Sequence, residues 1–476
     1  MATSTFRCLR PYSLADSGHY SRLFPPNTDQ PYDEVFFGRL RQLALSMRRK
    51  GPDPRVPLRV HRRLIPAGYT YFGQFIDHDL TLDRSDLPLP GDVVTPSSLP
   101  NLRRSFLNLD SLYGDGPDSS ASGNLYEEDG YFKLGAALSN GHSFDVPLDR
   151  RGAPLAADSR NLENAIVRQI HAIFLQLHNK AMDRLRDFTA AKDLVRHQFQ
   201  YLVLNDFLPR VCNDAVLSFV KEHPNSLFDW SGGFAVPVEF SIAAFRFGHS
   251  MVRSEYILGR DSNVMRLEDL LGGRGVGGPL STDVAVNWPS FLERRDLEFQ
   301  QLARPISATV VDSLFSLRPE SIDVFTANDA PGSTAPFYDR TEGRLPLRNL
   351  MRGAACNLCA GQAASQLACP DSSLEQLFRN ENNSSWSPLR ACGLAAQSPL
   401  WYYVLFEAQL QESGVRLGTL GSIIVAGTIE GALWSNPASY VHKPTAADPP
   451  MSFRDSEGRV VTLLTLFDVA KFVGLA

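Results

Sequence analysis

Cysteine is scarce, with six residues (Cys8, Cys212, Cys356, Cys359, Cys369 and Cys392) in a chain of 476. That density excludes a small disulfide-stapled scaffold and predicts free thiols in a reducing cytosol. Basic runs are lacking beyond Arg48-Arg49-Lys50, and 47 Lys and Arg against 52 Asp and Glu give a net charge of −5. Phosphate backbones are therefore poor partners, and no nucleic acid is expected. A membrane-crossing helix needs about 18 or more apolar residues in a row, and none occurs. The nearest stretch, 417–434, carries Ser422, Thr428 and Glu430 and reads as buried helix. The opening MATSTFRCLRPYSLADS has no apolar secretory core, so a cytoplasmic protein without a membrane span is expected. HExxH, G-x-S-x-G and a nucleotide-binding glycine loop are all missing, which argues against zincins, α/β-hydrolases and Rossmann oxidoreductases.

Apolar residues make up 43% of the chain, enough for a large core. They recur mostly at helical spacing: over 161–188, 193–207, 401–410, 420–433 and 463–473. Clean alternation is rare, and Pro/Gly-rich stretches (84 to about 122, 144–159, 272–278, 435–454) read as loops. The expected fold is mainly α, one large body.

Four segments put polar groups where a core should be. GYTYFGQFIDHDLTL (68–82) holds Gln74, Asp77, His78 and Asp79 among aromatics. In a helix Gln74, Asp77 and His78 share one face. Buried carboxylates need partners, and perturbed titrating groups cluster at functional sites. DSRNLENAIVRQIHAIFLQLHN (158–179) reads as one helix capped by Asp158 or Ser159. It would place Arg160 and Glu163 a turn apart, with His171 and His178 as core histidines or ligands. FRFGHSMVR (245–253) carries Arg246 and His249, and LRNLMRG (347–353) carries Asn349 and Arg352.

In this order, with the SLYG turn at 111–114, these segments resemble the animal-type haem peroxidases of the peroxidase–cyclooxygenase superfamily, in a bacterial-like form. The match runs from about residue 21 (SRLFP) to 473. It implies a large single-domain helical fold over 21–476, with haem buried between core helices and residues 1–20 as an extension. It further implies His78 as distal histidine with Gln74 beside it, Arg160 as distal arginine and His249 as iron ligand. Asn349 would accept a bond from the second ring nitrogen of His249. Arg246 and Arg352 would lie near the haem propionates, and Asp77 and Glu163 would esterify haem b. Asp79, Asn108 and Asp110 would hold calcium.

Those residue types suit peroxide chemistry. A neutral imidazole can move the peroxide proton, and a permanent guanidinium can stabilise the leaving oxygen. Hydrogen peroxide would generate a ferryl haem, which oxidises an organic molecule, such as an aromatic metabolite, or a halide. Fatty-acid dioxygenases of the superfamily carry a tyrosine three residues before the proximal histidine, where this chain has Arg246. That disfavours the lipid reaction. A non-catalytic haem binder would be expected to lack His78 or Arg160. Asn164, one residue after Glu163, is not the methionine that forms a sulfonium link in myeloperoxidase. Cys356-x-x-Cys359 could hold zinc or act as a redox pair, but no second C-x-x-C follows, and buried thiols are expected.

Overall fold

A computed structural model describes residues 6–15, 18–51, 57–85, 88, 90–138, 144–259, 263–271, 277–293, 300–317, 343–370, 386–443, 448–454 and 458–475. Helix accounts for 49% of the described residues. The described helices of seven residues or more are α1 (Glu34–Ser46), α2 (Gly68–Leu80), α3 (Ala165–Leu185), α4 (Phe188–Leu202), α5 (Asp214–Glu222), α6 (Leu345–Ala355), α7 (Gly361–Ala368), α8 (Leu400–Glu412), α9 (Thr419–Trp434) and α10 (Leu466–Phe472). Described strands form only three two-stranded pieces: 48–49 with 310–311 in parallel, and 255–258 with 263–266 and 452–454 with 460–462 antiparallel. Much of the loop expected at 272–278 lies outside the described residues.

α9 is apolar on nearly every side and lies inside the body; α3 is buried from Ala165 to His178 although it carries Arg168, Gln169, His171, Gln176 and His178. α9 is the stretch 417–434 singled out above; no described helix is long and apolar enough to cross a membrane. Its first amides would be orphaned in the core. The buried carboxylate of Glu407 on α8 accepts from Leu420 N at 3.0 Å and Gly421 N at 3.1 Å.

α3 begins at Ala165, later than its apolar spacing suggests, because Asn164 caps it by accepting from Ile166 N and Val167 N. Asp158 instead accepts from Arg160 N and caps a separate 3-10 turn, Ser159–Leu162. Arg160 and Glu163 therefore sit in the turn ahead of the helix, free of its axis. α4 starts earlier than the sequence pattern, with Asp187 as its cap, and widens into a π-helical turn at Val203–Phe207.

α2 packs against α3 and α4 through an aromatic box. Phe75 stacks on Phe174 at 5.1 Å and meets Phe199 edge-on at 5.8 Å. Each buried ring contributes about 1.5–3 kcal/mol. A side chain at Gly68 would run into Leu292, so the start of α2 needs glycine for close approach. The N-terminal segment is bound to the same body: Leu23 N and Phe24 N donate to the buried Glu239 carboxylate at 3.0 and 3.1 Å.

Candidate haem site

One cavity lies between α2 and the segment 245–252. It is lined by Gln74, Asp77, His78, Arg160 and Glu163 on one side and by Arg246, His249, Arg348 and Arg352 on the other. Phe207, Phe245, Met251, Leu267 and Leu314 supply apolar wall. Tyr20, the last residue of the stretch read as an extension, also lines it.

On the α2 side, His78 is buried and its Nδ1 lies 2.8 Å from Asn161 Oδ1. Asn161 Nδ2 faces the Ser111 carbonyl at 3.3 Å and His171 Nδ1 at 3.1 Å. A carbonyl only accepts, so it takes the amide NH2 and leaves the amide oxygen for His78. The His78 proton then sits on Nδ1, and Nε2 keeps its lone pair. Burial, then Arg160, pulls His78 down to about 3, so the ring is neutral near pH 7.

Arg160 is fixed from behind. Its Nη2 donates to Asp158 at 2.7 Å and to the His78 carbonyl at 2.8 Å, and its Nε donates to Asp158 at 3.1 Å. Arg103 also pairs with Asp158 and donates to the His78 carbonyl. Burial would raise Asp158, but Arg160 and Arg103 hold it well below the carboxylate range. Gln74 accepts from Asn164 at 3.1 Å.

Two carboxyls complete this side. Glu163 is buried, and neither of its oxygens has a hydrogen-bond partner among the described residues. Burial pushes it well above the usual range. Asp77 accepts from Thr81 Oγ1 at 3.2 Å and is also raised by burial.

The opposite wall changes helical pitch twice. A π-helical turn, Glu239–Ala243, runs into a 3-10 turn, Ala244–Phe247, and then the short helix Gly248–Met251. Such changes of pitch aim side chains at sites. His249 Nδ1 lies 2.9 Å from Asn349 Nδ2. The Asn349 oxygen, expected to face His249, accepts from Arg246 Nη1 at 2.6 Å instead. The reason is chemical: a guanidinium only donates, so it claims the oxygen and turns the NH2 toward the ring. Trp401 meets the His249 ring edge-on at 6.4 Å and donates to the Arg246 carbonyl at 3.1 Å.

Three arginines crowd this end. Arg352 donates to Asp83 at 2.6 Å and to the Ser85 carbonyl at 2.9 Å. Burial and then Arg352 pull Arg246 down to about 10 and Arg348 to about 9. Buried mutual repulsion of that kind suits a bound anion.

The residues thus fit a haem. An imidazole faces the cavity from each side, the Glu163 oxygens open on it without a partner among the described residues, and Arg246, Arg348 and Arg352 line one end. The proposed calcium donors do not make an equivalent fit. Asp79 accepts from Leu109 N at 2.8 Å and Ser111 N at 3.0 Å. Asn108 Oδ1 accepts from Asn436 at 3.2 Å, and Asp110 has Arg104 at 3.4 Å. No cluster of three or more His, Cys, Asp or Glu placed for a metal occurs among the described residues. No disulfide occurs among the described residues, and Cys356 and Cys359 are buried.

Residues 91–271 match the family described as animal haem peroxidase. The matched span contains Arg160, Glu163, Arg246 and His249; His78 and Asn349 lie outside it and reach the site through the fold. A peroxidase-like protein of Margaritifera margaritifera is 30% identical over 177 residues, covering 32% of this chain and 22% of that protein. Thyroid peroxidase of Homo sapiens is 26% identical over 178 residues, covering 31% of this chain and 19% of that one. The chain thus spans about a fifth of the length of these relatives.

Among solved structures, peroxidase A of Dictyostelium discoideum superposes with a TM-score of 0.56 at 15% identity, over 99% of this chain and 93% of that one. Fatty acid alpha-dioxygenase of Arabidopsis thaliana gives 0.59 at 14% identity, over 96% and 77%. At these identities the likeness is one of fold, and it confirms the mainly helical architecture.

The sequence pointed to the charged and histidine lining of the cavity except Asp83 and Arg348, and missed Asn161, Arg103 and Trp401 behind it. Asn161 sits inside the quoted motif DSRNLEN. Its signal was an amide between a charged residue and a leucine, and it is wholly buried.

Proposed function

We propose that this chain is a haem-dependent peroxidase that uses hydrogen peroxide to oxidise a small organic molecule. The observation that carries the reading is the pair of neutral histidines, His78 and His249, lining one cavity from opposite walls with Arg160 beside the first. Haem, when bound, would supply the reduction of peroxide and the oxidations that follow.

The chain's own residues would do the rest. His249 would hold the iron through Nε2; with the Asn349 NH2 on Nδ1 the ring proton sits on Nε2, so iron binding would move that proton to Nδ1 and turn the Asn349 oxygen toward the ring. Arg246, Arg348 and Arg352 would receive the propionates. Asp77 and Glu163 face the cavity as candidates for ester links. His78 Nε2 would take the proton from one peroxide oxygen and deliver it to the other. Arg160, clamped by Asp158, would stabilise the charge on the departing oxygen.

Arg246 supports the peroxidase over the lipid reaction. It occupies the place of the dioxygenase tyrosine and is bonded on both sides, to Asn349 and to the Ser241 carbonyl at 2.9 Å. The apolar wall favours an organic substrate over a halide.

The test is an absorbance spectrum before and after one equivalent of hydrogen peroxide. A Soret band that shifts supports the proposal. A haem band indifferent to peroxide would mean a binding protein, and a colourless chain that refuses haemin would sink the haem assignment.

A further inference from the structure

Tyr113 and His178 lie outside the cavity and have no part in the chemistry above. The Tyr113 hydroxyl is 3.0 Å from His178 Nδ1, and His178 Nε2 is 3.2 Å from the Gly130 carbonyl. The carbonyl only accepts, so His178 carries its proton on Nε2 and offers a lone pair to the phenol. Tyr113 is therefore the donor.

Both side chains are wholly buried. The Tyr113 ring is walled by Phe132 at 5.4 Å and Phe188 at 6.1 Å. Lys192 Nζ stands 5.0 Å from the ring centroid.

A connection runs from this pair to the cavity wall. Tyr113 shares the helical turn Asp110–Tyr113 with Ser111. The Ser111 carbonyl accepts from Asn161, whose oxygen holds His78. Two hydrogen bonds and one turn of backbone thus separate the phenol from the distal histidine.

We infer that Tyr113 and His178 form a proton-coupled redox site that stores one oxidising equivalent away from the cavity. The inference rests on the peroxidase reading, because the oxidant is haem that has reacted with hydrogen peroxide. One electron passes from the Tyr113 ring to the oxidised haem. The phenolic O–H bond breaks, its proton forms the Nδ1–H bond of His178, and a neutral tyrosyl radical and an imidazolium remain. When a reductant returns the electron, the proton goes back.

The surroundings favour the coupled step. Lys192 opposes positive charge on the ring, so loss of the electron without the proton is costly. The dry aromatic wall keeps the radical from solvent and from coupling to another phenol.

Tyr69 is the natural rival, since it lines the cavity and donates to Asp206 at 2.6 Å. The Arg210 guanidinium lies 4.1 Å from its ring centroid and pairs with the same carboxylate, weakening it as a base and disfavouring removal of an electron.

The test is freeze-quench electron paramagnetic resonance of the haem-loaded protein after one equivalent of hydrogen peroxide. A neutral tyrosyl signal should appear, persist in Tyr69→Phe and vanish in Tyr113→Phe. In His178→Gln its lifetime should fall roughly a hundredfold, as befits loss of a positioned base. A full signal in Tyr113→Phe overturns the inference, as does a missing signal in a protein whose Soret band shifts. If the Soret band ignores peroxide, the peroxidase reading fails, and flash-quench oxidation by photogenerated ruthenium(III) decides this site alone. A long-lived radical confined to proteins with Tyr113 supports it; equal decay in wild type and Tyr113→Phe overturns it.

Discussion

The two walls of the cavity solve one problem with opposite polarity. Each presents a neutral histidine, His78 buried and His249 partly so, drawn down to about 3 chiefly by desolvation. Each histidine leans through Nδ1 on an asparagine. On the α2 wall an acceptor-only carbonyl takes the NH2 of Asn161, and the oxygen faces His78. On the other wall a donor-only guanidinium takes the oxygen of Asn349, and the NH2 faces His249. An amide is two-ended, so the third group decides what the histidine receives. The first arrangement makes a base with a free Nε2. The second makes Nδ1 an acceptor and places the His249 proton on Nε2.

The strongest way to break this contrast is to remove each ring in turn. His249→Ala should lose nearly all bound haem, seen as collapse of the Soret band after desalting. A retained normal band would move the ligand elsewhere. His78→Ala should keep haem but slow its reaction with peroxide by about 10²–10⁴-fold, the range for a positioned proton carrier; stopped-flow absorbance reads this directly. Arg160→Ala should act in the same direction.

Asn161 sharpens the comparison. Asn161→Leu removes the oxygen that fixes the His78 tautomer and should slow the peroxide step by roughly five- to tenfold, the value of about one hydrogen bond. Asn161→Asp keeps an acceptor and should recover most of that loss. Equal rates in all three proteins would deny Asn161 a positioning role.

The smallest effect is one of pH. An ordinary histidine loses its base form below about 6.5. His78 is lowered to about 3, so it stays neutral as pH falls. The rate constant for peroxide should therefore stay level from about pH 7 to about pH 4. An acid limb near 6.5 would show that His78 titrates normally.

Most of the cavity could be read from the sequence because its residues violate the pattern around them. Charged groups inside an aromatic helix, and a histidine after glycine in a phenylalanine run, stand out against apolar periodicity. What could not be read was orientation. Arg160 and Glu163 look like one face of a long helix until Asn164 claims the cap. Asn349 looks like an acceptor for His249 until Arg246, over a hundred residues away in the chain, claims its oxygen. Asp79 and Asp110 look like cation ligands until backbone amides and Arg104 meet them. Amide direction and capping are settled by competition among neighbours, which spacing alone does not encode. The fold class was easier, since it depends on periodicity summed over long stretches.

The cavity also has a history in time. Its wall is drawn from segments near residues 20, 70, 160, 250, 315 and 350, so no short stretch contains it. Contacts of such long sequence separation form late. On a ribosome moving at roughly 5–20 residues per second, α2 would wait many seconds before Arg352 exists to face it. Until then His78, Asp77 and Glu163 have no opposite wall. The chain must therefore make a helix that carries Gln74, Asp77 and His78 long before the place that justifies them, and a group held between the two walls would load as one of the last events in its maturation.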